Sequence, residues 1–105
     1  MEHNDAEQFG SVEVSVTDDR WQLRMVGEIS LEMRPRLDEV LALVASHHRA
    51  VDVDLGAVTF IDSSGIGFLA RLGIHNQAPV RVTNVAEFTQ HLLSATGLRR
   101  LLNID

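Results

Sequence analysis

Residues 59–69 constrain the fold more than any other segment, because the character of the chain changes abruptly at Asp62. An apolar run ends in this carboxylate, and Ser63, Ser64 and Gly65 follow it. Aspartate is a favoured helix N-cap, and the first N–H groups of a helix attract negative charge. The segment therefore predicts a strand-to-helix junction that presents a serine, and it nominates Ser63 as a site where a phosphate would be tolerated.

Hydrophobic periodicity predicts an alternation of strands and helices around this junction. Two alternating runs predict a hairpin with its turn at 17–20. Ser30 is predicted to cap a first helix, which has Pro35 in its first turn and ends near His47 and His48. The later predicted elements are a strand at 50–55 with a break at 56–57 and a continuation at 58–61, a helix at 63–75, a strand at 79–82, a helix at 85–95 and a strand at 101–104.

The resulting order, ββαβαβαβ, predicts an α/β fold with a mixed, largely parallel sheet. Strands separated by helices are joined by right-handed crossovers, whereas the initial hairpin is antiparallel. Ser63 then lies beyond the carboxyl end of a strand, where helix N-termini converge and ligands usually bind. We expect one domain over residues 11–105, preceded by a flexible tail at residues 1–10.

Composition excludes several classes of function. The chain has 105 residues, no cysteine and a formal net charge of −6, which opposes binding to nucleic acid or to anionic membranes. Without cysteine there is neither a disulfide framework nor thiolate chemistry. No run of about 18 apolar residues and no secretory signal is present, so we expect a cytoplasmic protein without membrane insertion.

The junction also carries a family resemblance. Asp54–Leu55, Val58, Phe60 and the D-S-S-G-I-G run at 62–67 resemble the STAS domain of bacterial anti-sigma factor antagonists. The G-E-I run at 27–29 and the T-G-L run at 96–98 resemble further motifs of that family, so the likeness covers nearly all of the chain from residue 12 onward.

This resemblance implies the STAS fold, with the helices packed mainly on one face of the sheet. The sequence departs from the family at two places. Ser30 stands where the family usually has aspartate, and the sequence stops at Asp105, about where the final helix of the family would begin. That helix is therefore expected to be missing, and both departures concern a surface that the family uses for partners.

The resemblance further implies a partner-switching function. The chain would bind an anti-sigma factor with serine kinase activity and release a sigma factor, phosphorylation of Ser63 would switch it off, and a serine phosphatase would reset it. It would be no enzyme and would need no cofactor, since ATP belongs to the kinase. The implied phosphosite environment is Asp62, Ser64, Gly65 and Asp54. The implied partner-binding residues are Ile66, Gly67, Phe68, Ser30 and Glu28.

Several alternatives stay open at this point. Asp-Ser-Ser-Gly is also a common helix start without any further role, Asp54 is equally explained as a solvated strand residue, and the small residues of the second helix suit core packing as well as partner docking. A STAS subunit of a lipid-trafficking ABC transporter, which would bind a transporter ATPase, is the nearest rival function.

Two chemical functions receive little support from the sequence. A serine hydrolase would need the glycine two residues before Ser63 that a nucleophile elbow uses, and Ile61 stands there. A metal site at Asp52, Asp54 and Asp62 would lack the histidine, cysteine or glycine-punctuated loop of the known patterns.

Overall fold

Within residues 10–104 of a computed structural model, the chain forms one mixed five-stranded sheet and three α-helices. Asp105 and the predicted tail, apart from Gly10, lie outside the described residues. The strands are β1 (Ser11–Thr17), β2 (Arg20–Ile29), β3 (Val51–Ile61), β4 (Val80–Thr83) and β5 (Asn103–Ile104). The helices are α1 (Arg34–Ala45), α2 (Ser63–His75) and α3 (Glu87–Ala95), with 3-10 turns at Leu31–Met33 and Leu98–Arg100.

The sheet confirms the predicted topology. β1 pairs antiparallel with β2, and β2, β3, β4 and β5 follow one another in parallel. Asp18 and Asp19 between the first two strands both have positive φ, 54° and 63°, which is the geometry of a type I′ hairpin turn. The ββαβαβαβ order and the largely parallel sheet are thus as the periodicity predicted.

Alternation along the strands separates an apolar face from a polar one. On β2 and over residues 51–55 of β3 every second residue is buried, and these residues pack against apolar residues of the helices. The intervening positions are polar, and Arg20 donates from Nη2 to Asp52 Oδ1 at 2.6 Å. The buried side chains that build the centre of this core are Leu23, Met25, Val51, Val53, Leu37, Val40, Val44, Phe68, Leu69, Leu72 and Leu93.

β3 is continuous from Val51 to Ile61, and the predicted break in its alternation at 56–57 corresponds to an irregularity within the strand. Its pairing with β2 shifts register twice, and the first shift lies where Gly56 stands. Asp54 Oδ1 accepts hydrogen bonds from Gly56 N at 2.8 Å and from Asn84 Nδ2 at 3.0 Å, which holds this irregularity in place. Gly27, at the second shift, has a φ of 79° that favours glycine.

The beginning of α1 also differs from the prediction. Ser30 precedes a 3-10 turn and makes no side-chain cap, and its hydroxyl donates to Glu32 Oε1 at 2.7 Å. The α-helix itself begins at Arg34 with Pro35 in its first turn, as predicted. It ends at Ala45, before His47, and the Ser46 hydroxyl donates to the Leu43 carbonyl at 2.6 Å.

The last three elements are offset from their predicted limits. β4 begins one residue after its predicted start, and α3 begins at Glu87 rather than at residue 85, because Ala86 is extended, with φ −63° and ψ 152°. β5 is shorter than predicted, because Leu101 N donates to the Leu98 carbonyl at 2.9 Å as the cap of the 3-10 turn and pairing with β4 begins only at Asn103.

β1 forms one edge of the sheet, and a side chain of α1 covers part of that edge. Arg36 Nη2 donates to the carbonyl oxygen of Val12 at 2.8 Å. One acceptor of the edge strand is therefore already used within the chain.

Within residues 10–104, no helix combines the length and the apolar character that crossing a membrane requires.

Candidate functional site

Asp62 organises the junction between β3 and α2 through three hydrogen bonds. Its N–H donates to the Ile29 carbonyl at 3.1 Å, its Oδ1 accepts from Ser64 N at 2.8 Å, and its carbonyl accepts from Ile66 N at 3.0 Å. The predicted N-cap is thus confirmed. The first bond also places the ends of β2 and β3 side by side, so that residues from both strands meet at one edge.

Ser63 and Ser64 differ in accessibility although they are neighbours. Ser63 is the first residue of α2 and is exposed, whereas Ser64 is half-buried and its N–H is held by the Asp62 carboxylate. A modifying enzyme would therefore reach the Ser63 hydroxyl more readily. The helix dipole at this position favours negative charge.

The glycines of α2 divide between packing and open surface. A Cβ at Gly65 would lie 2.5 Å from Ile61 Cγ1 and 2.9 Å from Ile29 Cγ2, so only glycine lets the first turn approach the strand ends. A Cβ at Gly73 would lie 2.9 Å from Leu101 Cβ, whereas one at Gly67 would meet no atom within 4 Å. Close packing thus accounts for two of these glycines, and Gly67 remains open to a partner.

Acidic side chains lie near the end of β2 and in the turn that follows it, on the β2 side of the junction. Glu28 is exposed near the end of β2, and Ser30 and Glu32 follow in the 3-10 turn. The hydrogen bond from the Ser30 hydroxyl is the largest cause that lowers the pKa of Glu32, while the nearby Asp62 charge acts in the opposite direction. Glu32 was missed by sequence reasoning, although a serine two residues before a glutamate just after a strand could have indicated it.

An apolar groove adjoins Ser63 on the other side, between β3 and α3. Its cavity has a volume of about 390 Å³. Phe60 on β3 and Phe88 on α3 remain 51% and 66% exposed there. The lining residues are Phe60, Ile61, Asp62, Ser63, Ile66, Phe88, Leu92 and Thr96.

The α3 side of this groove was not predicted. Phe88, Leu92 and Thr96 recur at intervals of four residues, which places them on one face of a helix. From the sequence alone, this spacing predicts that the three side chains share one face of a helix. Their position beside Ser63 depends on how α3 packs, and this does not follow from local sequence.

The structure separates Asp54 from the phosphosite environment in which it was placed. Asp54 lies seven residues before Ile61 on β3, on the order of 20 Å away at the rise of a strand. Its carboxylate binds Asn84 and Gly56, and the bond from Asn84 is the largest cause that lowers its pKa. Asp54 therefore stabilises the irregular part of β3 rather than the serine.

The prediction that Phe68 binds a partner also requires correction. Its side chain is 1% exposed and packs in the core, so a partner that docks on this surface cannot contact it. Ile66 is largely buried but lines the groove, and Gly67 is half-buried. These two residues, with Glu28 and Ser30, stay in the candidate partner surface.

The acidic residues of the sheet do not assemble a metal centre. Among residues 10–104, no group of three His, Cys, Asp or Glu side chains lies close enough to hold a metal ion. Asp52 is bound instead by Arg20 and Gln22, and the Arg20 hydrogen bond is the largest cause that lowers its pKa.

The mixed sheet, its topology and the exposed serine at the start of α2 define the kind of α/β domain to which this chain belongs. A family model described as "Mlab, STAS domain" matches residues 12–103. The chain therefore belongs to the STAS domain family.

Known proteins similar to this chain include an anti-sigma-B factor antagonist of Staphylococcus epidermidis. It is 29% identical over 99 residues, which cover 90% of this chain and 92% of that protein. A solved anti-sigma factor antagonist from Mycobacterium paratuberculosis has a TM-score of 0.80 at 23% identity, over 92% of this chain and 86% of its own. The Bacillus cell fate determinant SpoIIAA in its phosphorylated form has a TM-score of 0.70 at 16% identity, over 90% of this chain and 91% of its own. These two structures show the shared fold.

Proposed function

We propose that this protein binds an anti-sigma factor and thereby releases the sigma factor that the anti-sigma factor holds. The antagonist names of its relatives support the proposal, because the likeness to the Staphylococcus protein extends over 90% of the chain. The observation that carries it here is Ser63, exposed at the first residue of α2 between an acidic turn and an apolar groove. The protein acts in the cytoplasm as a ligand and substrate, and it performs no catalysis itself.

Phosphorylation of Ser63 ends this binding in the proposed mechanism. A phosphate adds about −1.5 to −2 charges at neutral pH, beside Asp62 and near Glu32. The Asp62 cap on Ser64 N stays in place, because the modified hydroxyl belongs to the preceding residue. The charge of the docking surface changes while the helix start is kept. The anti-sigma factor supplies the kinase and its ATP, and a serine phosphatase removes the phosphate.

The test is capture of partners from a lysate of the native host on three baits, wild type, Ser63→Ala and Ser63→Asp. Proteins retained on each bait are identified by mass spectrometry, and the binding constant of the retained ATPase is then measured with purified components. We expect a serine-kinase anti-sigma factor on wild type and Ser63→Ala, and at least tenfold weaker binding of Ser63→Asp, which corresponds to about 1.4 kcal/mol.

A second measurement checks the modification itself. Incubation of the purified kinase with ATP and this protein should add one phosphate to wild type and none to Ser63→Ala. Transfer to Ser64 or to another residue would contradict the assignment of Ser63, even where binding is confirmed.

A second candidate function is the STAS subunit of a lipid-trafficking ABC transporter. The observation that favours it is the description of the matching family model, which bears the name Mlab and not that of an antagonist. An ABC-type ATPase that all three baits retain equally would establish this alternative and refute the sigma-factor pathway.

A further inference from the structure

The groove beside Ser63 exposes aromatic surface that the fold leaves uncovered. Phe60 is 51% exposed and Phe88 is 66% exposed, and both line the same cavity of about 390 Å³. Two exposed phenylalanines in one concave surface are uncommon on a protein without a partner, because contiguous apolar patches mark interaction sites. By contrast, Phe68 is buried in the core.

The groove exists because β4 is shorter than β3. Pairing of these strands ends at Asp54 and Thr83, whereas β3 continues to Ile61. α3 lies beside this remaining part of β3, and a second depression of about 140 Å³ continues the groove along it. The lining of this second depression is Val58, Thr59, Phe60, Ile61, Ala86, Phe88 and Thr89. The apolar surface is therefore an elongated feature of the fold.

Ser63 and Asp62 line the same cavity as the two phenylalanines. A kinase that phosphorylates Ser63 must bring the γ-phosphate of ATP against its hydroxyl, and this places the kinase surface over the mouth of the groove. This step rests on the proposed function. Because the anti-sigma factor is this kinase, we take the anti-sigma factor as the protein that occupies the groove.

The chemistry of the surface specifies what this occupant presents. The groove is apolar, so it accepts a bulky aliphatic or aromatic side chain, and such anchors dominate protein interfaces. Its rim carries the Asp62 carboxylate, and Glu28 and Glu32 are exposed at the same sheet edge. Basic residues around the apolar anchor complement this rim and the net charge of −6.

We infer that the groove between β3 and α3 is an apolar anchor for the anti-sigma factor, distinct from the charge-sensitive contact at Ser63. Phe60 and Phe88 hold a hydrophobic side chain of the kinase and thereby position Ser63 for phosphorylation. The interface then has two parts, an apolar anchor at the phenylalanines and a polar contact at Ser63 that a phosphate disrupts.

The experiment uses the anti-sigma factor recovered by the capture described above, purified and titrated against Phe60→Ala, Phe88→Ala and Ile74→Ala. Ile74 is the matched control, because it is 59% exposed on α2 but lies eleven residues, about 16 Å, from Ser63. Each variant is checked for native circular dichroism and an unchanged unfolding midpoint. Phosphorylation kinetics of Ser63 are measured in parallel.

We expect Phe60→Ala and Phe88→Ala each to weaken binding about tenfold or more, and Ile74→Ala to bind within about twofold of wild type. The anchor variants should raise KM for phosphorylation of Ser63 and leave kcat nearly unchanged, because the apolar contact is the same in the bound complex and in the transition state. Combined with Ser63→Asp, Phe88→Ala should weaken any residual binding further.

Three results would overturn the inference. If both phenylalanine variants bind and are phosphorylated like wild type while Ser63→Asp loses binding, the anchor is refuted and the proposed function stands. If light scattering shows a dimer that Phe88→Ala converts to a monomer, a second copy of this chain occupies the groove instead. If no variant, wild type included, retains a serine kinase, the proposed function fails and the anchor fails with it.

Discussion

At the residue scale, the start of α2 depends on side chains with separate tasks. Asp62 satisfies the N–H of Ser64, and the missing side chain of Gly65 lets the helix approach Ile61 and Ile29. Ser63 takes part in neither of these contacts and presents its hydroxyl to solvent. The residue proposed as the switch can therefore change its charge without removing what holds the helix.

Replacing Asp62 by alanine should lower the free energy of unfolding by about 1 kcal/mol, because the N-cap acceptor for Ser64 N is lost. Asp62→Asn keeps an oxygen acceptor and should recover most of this stability. Ser63→Ala, the neighbouring control, should change stability by less than about 0.5 kcal/mol. Urea denaturation measures all three, and equal midpoints for Asp62→Ala and wild type would contradict the cap.

Two glycines of α2 provide a matched pair. Gly65→Ala should destabilise the fold by about 1–3 kcal/mol, since the new methyl group would lie 2.5 Å from Ile61 Cγ1. Gly67→Ala meets no atom within 4 Å and should stabilise the helix by about 0.5–1 kcal/mol. Thermal unfolding measures the change in stability of each variant. Similar changes in both variants would contradict the close packing of Gly65 against Ile61.

At the element scale, the limits of α2 could be predicted to the residue because its start is locally encoded by Asp62 and the following small residues. The start of α1 could not, since a 3-10 turn at Leu31–Met33 separates Ser30 from the α-helix, which begins at Arg34. The prediction that Asp54 belongs to the phosphosite was wrong, because β3 has an extra residue near Gly56 and the Asp54 carboxylate accepts a hydrogen bond from Gly56 N there. Such bulges and the packing of α3 depend on contacts distant in sequence.

The ion pair of Asp52 on the polar face of the sheet should make the free energy of unfolding depend on pH. Arg20 lowers the pKa of Asp52 below its ordinary value of about 3.9, so the stabilisation is present above that pH and is lost as pH falls through the folded-state pKa. Asp52→Asn should therefore be less stable than wild type at pH 7, and the difference should narrow below about pH 4.

The control for this pH dependence is Asp38→Asn. Asp38 accepts from Arg71 Nη1 at 3.3 Å in an exposed ion pair, which contributes at most about 0.5–1 kcal/mol. Unfolding free energies from pH 2.5 to 7 compare the two variants. A difference between wild type and Asp52→Asn that stays constant over this range would exclude titration of Asp52 as its cause.

At the scale of the whole molecule, the single tryptophan and the proposed switch lie at opposite ends of the sheet. Trp21 pairs with Val51 at the beginning of β3, and Ser63 follows its end, on the order of 30 Å away along the strand. The Trp21 ring is buried, with Arg49 over its face at 5.6 Å and the His47 ring at 5.9 Å. It reports on folding at the end remote from Ser63.

Ser63→Asp should leave the fluorescence maximum of Trp21 unchanged, because the added charge acts on the local surface and does not rearrange the sheet. Arg49→Ala, which alters the immediate surroundings of the indole, is the positive control and should shift the maximum. A shift in Ser63→Asp of similar size would show that the switch works through a conformational change across the domain.

The bond from Arg36 to the Val12 carbonyl bears on how much of this protein is available in a cell. Under the proposed function, the response depends on the number of free molecules of this protein relative to the anti-sigma factor. Molecules that joined through exposed strands into chains or fibrils would be withdrawn from that count. By occupying an acceptor on the outer strand, Arg36 hinders such growth, so the number of free molecules that the proposed function requires follows the amount synthesised.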